Sequence, residues 1–326
     1  MPVYNGERFL RETIDSVLSQ TYRNFEFIIV NDGSVDSTQQ IISSYDDKRI
    51  VPLNLTRNQG VSNARNRGTD LAKGEFIAFC DADDLCDPGR LQIQLDFLTG
   101  NPTVDVCGSY FMVFEDGQEI LVRHPITDQE IKDQFFTGNC IGQPSVMGKA
   151  GVFQKYKYKP ELQASEDYDL WARMATDGVV FANVPQPLVK YRLHPAQASK
   201  TKGKLLHVTS KTVCTNYTLA YLNNDIISGY SKAAETSLAD FKKFIEELSA
   251  ACNEKSRDMN TFRPLIALQY KKIDKLGIRS FAALRMTSSK YHLNFPAKYL
   301  LNIFLLSFIC INKNSSLFDT LTKLKL

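Results

Sequence analysis

Apolar and polar positions alternate in two rhythms over the first hundred residues. Phe25–Val30 (FEFIIV), Ile50–Leu55 (IVPLNL) and Glu75–Cys80 (EFIAFC) are short runs rich in β-branched and aromatic residues, and they predict strands. Between them Phe9, Leu10, Ile14, Val17 and Leu18 recur at helical spacing, as Ile41, Ile42 and Tyr45 do over a shorter stretch. Helices separating strands predict βα units, hence an α/β fold with a mostly parallel, Rossmann-like sheet flanked by helices. Beyond Pro88 the pattern predicts a helix over Arg90–Leu98, a strand over Val104–Phe114, a polar hairpin at Glu115-Asp116-Gly117 and a helix near Asp128–Phe136. A loop carrying Gln143-Pro144-Ser145, a helix over Glu166–Ala175 and an extended segment over Val179–Tyr191 follow. From Leu205 onward the pattern is helical and the composition shifts toward Lys, Ser and Leu, which places a boundary near residue 200, with domains over 1–200 and 201–326.

Each of the first three predicted strands runs into turn-forming residues: Asn31-Asp32-Gly33-Ser34, Thr56-Arg57-Asn58-Gln59-Gly60 and Asp81-Ala82-Asp83-Asp84. Ligands of open parallel sheets bind beyond the carboxyl ends of strands, so these clusters should converge on one crevice. Alternation along the third strand suggests that Asp81 and Asp83 point the same way. Two carboxylates ~5 Å apart repel by roughly 3 kcal/mol at an effective dielectric near 20, and a hard divalent cation, Mn²⁺ or Mg²⁺, relieves this while accepting phosphate oxygens. Asp32, followed by small residues that allow close approach of a ligand, could accept a hydrogen bond from a pyrimidine ring N–H or a ribose hydroxyl, or could simply make an Asx turn. Arg65 could offer a guanidinium fork to phosphate or be an ordinary surface arginine. Glu166-Asp167 heads an amphipathic helix with Leu170, Trp171 and Met174 behind it; the pair could cap that helix, or deprotonate an acceptor hydroxyl. In Tyr191-Arg192-Leu193-His194-Pro195 either the cation or the imidazole could reach a diphosphate or a metal, although a lone His is usually structural or exposed.

Charge sharpens the division of the chain. Residues 1–200 carry 20 Lys+Arg against 27 Asp+Glu, whereas residues 201–326 carry 19 against 9, within an overall formal charge of +3. An acidic half suits metal binding; a basic tail suits an anionic membrane surface or lipid phosphate, or is a solvated helical face. Tyr299–Ile311 is the most apolar segment, but as a helix it spans only ~20 Å against a hydrocarbon core of ~30 Å. It is expected to be buried in a helical bundle or to lie in a membrane interface. Seven scattered cysteines without C-x-x-C spacing predict neither a zinc cage nor a disulfide framework, and together with the lack of a secretory leader they predict a cytoplasmic protein.

Taken together, Pro2-Val3-Tyr4-Asn5, Asn31-Asp32-Gly33-Ser34-Val35-Asp36, Asn58-Gln59-Gly60 with Ala64-Arg65-Asn66, Asp81-Ala82-Asp83-Asp84, and Ser165-Glu166-Asp167-Tyr168 with Leu170-Trp171 resemble the family 2 glycosyltransferases of the GT-A fold over roughly residues 1–195. The resemblance implies that Pro2, Tyr4, Glu7, Asp32 and Arg65 line a nucleotide site and that Asp81-Ala82 lies at the ribose-diphosphate. It implies a metal at Asp83 and Asp81, with His194 a further candidate ligand, and Asp167, beside Glu166, as catalytic base. It further implies inverting transfer of a sugar, uridine diphosphate linked, to a hydroxyl of a glycan or lipid-linked acceptor. Such enzymes commonly build bacterial surface polysaccharides at the cytoplasmic membrane face; no nucleic acid partner is implied. Relatives carry an apolar strand leading into the Pro-Val-Tyr-Asn turn, whereas this sequence begins Met1-Pro2, so a central strand is expected to be missing and the start to be truncated or misassigned. Two rivals remain: a noncatalytic nucleotide-sugar-binding or scaffold protein, and a nucleotidyltransferase, which lacks a Gly-rich, Lys-containing triphosphate loop.

Overall fold

The computed structural model describes residues 1–293 apart from 116, 224–226, 230–234, 256, 263–264, 267–268, 271 and 274–277. Tyr299–Ile311 lies outside the described residues. Two compact units are present, Met1–Cys214 and one that begins at Thr215.

The first unit opens with β1 (Pro2–Val3), α1 (Leu10–Leu18), β2 (Phe27–Asn31), α2 (Thr38–Ser43), β3 (Ile50–Asn54) and α3 (Val61–Leu71). All three strands are parallel in the order β1-β2-β3, with Phe27 opposite Ile50 and Asn31 opposite Asn54. β2 is buried along its whole length because helices cover both of its faces. Phe27 and Ile29 pack with Leu10, Ile14 and Val17 of α1 and Ile41 and Ile42 of α2, while Ile28 and Val30 pack against Ala64 of α3.

β4 (Phe76–Ala78), β5 (Leu85–Cys86), α4 (Arg90–Gly100), β6 (Val106–Glu115), β7 (Gln118–Val122), α5 (Asp128–Gln134), β8 (Met147–Lys149), α6 (Ala150–Lys155), α7 (Glu166–Thr176) and β9 (Phe181–Arg192) follow. A second sheet runs β4-β8-β6-β9-β5, with β7 paired on β6. β6 and β9 are parallel and its other pairs antiparallel. β9 therefore carries its end, Tyr191-Arg192, back over the acidic turn that follows β4. Next, α8 (Ala198–Thr201) leads into α9 (Gly203–Leu222), whose Thr209 and Ser210 hydroxyls lie 2.8 Å from the Ser165 hydroxyl. The second unit contains helix Leu238–Glu254, started by a Ser237/Asp240 capping box and burying Phe241, Phe244, Ile245 and Leu248, and helix Ile278–Lys290. Among the described residues no helix is long and apolar enough to cross a membrane, and none of the six described cysteines is joined in a disulfide.

The first strand, expected to be missing, is present over Pro2–Val3. Beyond it lies a cavity of about 730 Å³ walled by Phe27, Ile28, Phe76, Ile77 and Ala78. This is several times the ~150 Å³ that an apolar packing void can keep dry. The Met1 amino group donates to the Ile28 carbonyl at 2.9 Å, so the Ile28 N–H shares that direction. On the opposite wall Ala150 N–H bonds Glu75 O and Phe79 N–H bonds Val146 O, turning those residues toward β8 and the Phe76 and Ala78 backbone toward the cavity. An apolar extended segment joined ahead of Met1 should therefore pair with both walls. Its burial is expected to raise Tm by about 5 °C and to increase activity; a melting curve without any rise would count against strand insertion there.

Candidate active site

Arg65 sits mid-way along α3, with 6% of its side chain exposed. Its Nη2 donates to Asp81 Oδ1 at 2.9 Å and its Nη1 to Glu166 Oε1 at 2.8 Å. The guanidinium also lies 5.4 Å from the centroid of the Tyr158 ring. Burial opposes its charge, but Asp81, Tyr158 and Glu166 outweigh burial and hold its pKa above the usual value. Each Nη atom thus gives one of its N–H groups to a carboxylate, so the fork expected for phosphate is here directed at Asp81 and Glu166. Arg65 instead ties the turn after β4 to the first turn of α7.

Asp32 directly follows β2 and is 3% exposed. Its oxygens accept the backbone N–H groups of Gln59 at 2.8 Å and Gly60 at 2.9 Å, binding the β2 and β3 ends together where α3 starts. Each oxygen keeps a second lone pair for a ligand donor. Gly33 has φ +70°, and a Cβ there would meet the Arg57 carbonyl carbon at 2.4 Å. The close approach that requires glycine is thus made by the chain, not by a ligand. Glu7 Oε2 accepts from Ser37 N–H at 3.0 Å, and Asn5, at φ 50°, accepts from Val35 N–H at 2.9 Å, so the Pro2–Glu7 loop is fastened to the 31–37 loop. Tyr4 projects from this rim, 49% exposed.

The acidic turn departs from the strand reading. β4 stops at Ala78 and residues 81–84 form a turn, so alternation does not carry through to Asp83. Asp81 faces Arg65, whereas Asp83 Oδ2 lies 2.9 Å from His194 Nε2. Ala82 accepts from the Thr13 hydroxyl at 3.0 Å. Burial and then the neighbouring Asp81 push the Asp83 carboxyl up, and His194 opposes them. Asp84 is 2% exposed and accepts from Arg192 N–H at 2.9 Å; burial, then Asp83 and Asp81, raise its pKa well above the usual range. The Arg192 side chain donates from Nε to Asp83 O at 2.9 Å and is sandwiched between Phe9 and Phe114 at 4.5 and 4.7 Å, which shapes the turn from its far side.

Among the described residues no three His, Cys, Asp or Glu side chains gather as a ready metal cage. Of the predicted set Asp81, Asp83 and His194, the structure joins Asp83 to His194, while Asp81 is bound to Arg65. What the structure offers is one carboxylate beside one imidazole, in a spot already burdened with acidic charge. That half-set fits a hard cation whose remaining ligands are diphosphate and water oxygens.

At α7, Ser165 adopts φ 59°, a sparsely populated conformation for a non-glycine residue, directly before Glu166-Asp167. Glu166 is bound to Arg65, which leaves Asp167 as the carboxylate of the pair not engaged by a cation. Asp167 is half-buried; its Oδ1 accepts Tyr168 N–H at 2.8 Å and its Oδ2 accepts from Asn139 Nδ2 at 3.0 Å. Burial, then Glu166, against the pull of Arg65, push its pKa up to about 6. Leu170, Trp171 and Met174 are fully buried behind it, as the helical spacing predicts.

Sequence reasoning missed Asn139, Tyr158 and the Gln143 side chain that accepts from Tyr158 Oη at 2.9 Å. The available signal was slight: a polar Thr137-Gly138-Asn139 turn and a Gln143-Pro144-Ser145 loop without periodicity.

Residues 1–160 match the family model described as Glycosyl transferase family 2. The uncharacterized glycosyltransferase MJ1057 of Methanocaldococcus jannaschii is 34% identical over 200 residues, 59% of this chain and 69% of that protein. The Escherichia coli UDP-Glc:alpha-D-GlcNAc-diphosphoundecaprenol beta-1,3-glucosyltransferase WfgD is 31% identical over 208 residues, 63% of this chain and 80% of that protein. S. aureus TarS 1-349, solved in complex with UDP-GlcNAc, superposes with a TM-score of 0.58 over 90% of this chain and 91% of that chain at 17% identity, which shows a shared GT-A fold.

Proposed function

Because the chain belongs to glycosyl transferase family 2, we propose that it moves a sugar from a uridine diphosphate sugar to a hydroxyl of a glycan or lipid-linked acceptor, with inversion at the anomeric carbon. The observation that carries this reading is the buried Asp81–Arg65–Glu166 network, which fixes a diphosphate-side turn and a base-side helix to one guanidinium. The choice of uridine and of a lipid-linked acceptor is supported by the donor in the TarS complex and by the substrates in the name of WfgD.

In this reading the exposed Tyr4 ring, with Pro2, stacks against the base, and Asp32 accepts the ring N–H. Glu7 keeps the loop closed, and Asp81-Ala82 receives the ribose-diphosphate. Asp83 and His194 hold Mn²⁺ or Mg²⁺, which when bound neutralises charge on the departing diphosphate. Asp167 takes the proton of the acceptor hydroxyl as that oxygen attacks the anomeric carbon and the bond to the diphosphate breaks. Attack and departure on opposite faces of the sugar give inversion without a covalent enzyme intermediate. Residues 1–200 act as the catalytic region, and the excess of basic residues in 201–326 favours an anionic membrane surface at the cytoplasmic face, where lipid-linked acceptors are presented.

Turnover of a panel of nucleotide sugars tests this. UDP-sugar hydrolysis or transfer should require Mn²⁺ or Mg²⁺, be lost with a chelator and return on adding metal. Asp83→Asn should weaken metal-dependent donor binding by about tenfold or more. Undiminished turnover in both the chelated wild type and Asp83→Asn would refute the metal assignment; thermal protection by another base's sugars alone would refute uridine.

A further inference from the structure

Ser165 is the N-cap residue of α7 and is 3% exposed, yet its hydroxyl caps nothing in that helix. An N-cap serine ordinarily has extended backbone and accepts the N–H of the second or third helical residue. Here φ is 59° and ψ is 24°, and the hydroxyl turns instead to α9, 2.8 Å from Thr209 Oγ1 and 2.8 Å from Ser210 Oγ. One proton per hydroxyl satisfies a chain in which Ser210 donates to Ser165, Ser165 to Thr209, and Thr209 to the Leu205 carbonyl at 3.0 Å. Lys202, just ahead of α9, donates from Nζ to the Gln163 carbonyl at 2.9 Å, so the segment entering α7 is held at two points. The vacated cap is filled by Asp167, whose Oδ1 accepts the N–H of Tyr168, the third residue of α7, at 2.8 Å.

We propose that Ser165 is a positioning residue, held off its own helix by Thr209 and Ser210 so that the Tyr168 N–H is left to seat the Asp167 carboxylate. A left-handed backbone is unfavourable for a residue with a Cβ and persists where its surroundings impose it. The two α9 hydroxyls supply that constraint. Without them Ser165 returns to extended backbone and its hydroxyl takes the Tyr168 N–H, leaving Asn139 to hold the carboxylate by Oδ2. The groups of charge facing Asp167 are Glu166 beside it, Arg65 on α3, Asp81 in the acidic turn and the Tyr158 hydroxyl. The Tyr168 N–H favours the ionised carboxylate, so its loss moves the Asp167 pKa upward from about 6. The apparatus around Asp167 thereby extends past residue 200 to α9. That Asp167 is the base rests on the transfer reading; the seating of its carboxylate does not.

The test is Thr209→Val combined with Ser210→Ala in the full chain. Transfer kcat should fall by about 10- to 100-fold with the donor KM within about threefold, and the acid limb of the pH–rate profile should move to higher pH. Adding Ser165→Gly, which keeps a left-handed backbone readily and has no hydroxyl to compete, should recover most of that loss. A general loosening of α7 against α9 would not be recovered by removing one more hydroxyl. A crystal structure of the double variant should show Ser165 at negative φ with its Oγ on the Tyr168 N–H; Ser165 still near 59° with Asp167 on that N–H would overturn the proposal. Given an inactive Asp167→Asn, an undiminished kcat, or a loss that Ser165→Gly leaves in place, would overturn it as well. Should the double variant unfold, Thr209→Val alone, nearly the same shape, is read in the same way. Full activity in Asp167→Asn would sink the base assignment, and the crystal structure would still decide the seating.

Discussion

Asp167→Asn should reduce sugar transfer by about 10²- to 10⁴-fold while leaving donor affinity within a factor of about three, because the amide keeps the shape but cannot take the acceptor proton. The placement of Asp167 explains why the loss falls on kcat. Its two oxygens are held by Tyr168 N–H and Asn139 Nδ2, on the helix side of Arg65 opposite the acidic turn. With its pKa raised to about 6, the wild-type carboxylate is ionised above that pH and protonated below it. Transfer should therefore fall about tenfold per pH unit below 6 and be flat from 7 upward. A pH–rate profile of kcat/KM checks this, and a profile flat down to pH 4 together with near-normal turnover in Asp167→Asn would remove Asp167 from the reaction.

The second large effect is on stability. Arg65→Met should destabilise the first unit by about 3–5 kcal/mol, since removing the cation leaves Asp81 and Glu166, with side chains 26% and 15% exposed, facing one another without compensation. Denaturant unfolding of the wild type and the variant measures this loss as a lower midpoint. Arg65→Lys should recover only part of the loss, because one ammonium cannot reproduce two in-plane contacts to opposite carboxylates. An unchanged midpoint in Arg65→Met would mean that the network contributes nothing to holding the turn against α7.

The strands over Phe27–Asn31, Ile50–Asn54 and Phe76–Ala78, and the helices over Arg90–Gly100 and Glu166–Thr176, are legible in the sequence because burial on one or both faces imposes a short-range period. The same holds for the places of Asp32 after β2, Asp81 in the turn beyond β4 and Asp167 in the first turn of α7, since turn formers and helix starts are marked locally. What failed was local geometry. Asp81 and Asp83 diverge because a turn has no fixed alternation, and Gly33 is demanded by the Arg57 backbone, a residue distant along the chain.

By itself the sequence determined which elements form, which side chains are buried, and which acids stand at strand and helix ends, since periodicity and turn chemistry act over a few residues. Only the tertiary structure decided the partners. That Arg65 joins Asp81 and Glu166, that Asp83 meets His194, that Asn139 orients Asp167 and that Cys86 faces a buried Arg90 are matters of long-range packing and low local dielectric. Charge pairs of this kind are chosen by distance in space, and no pattern along the chain encodes that distance.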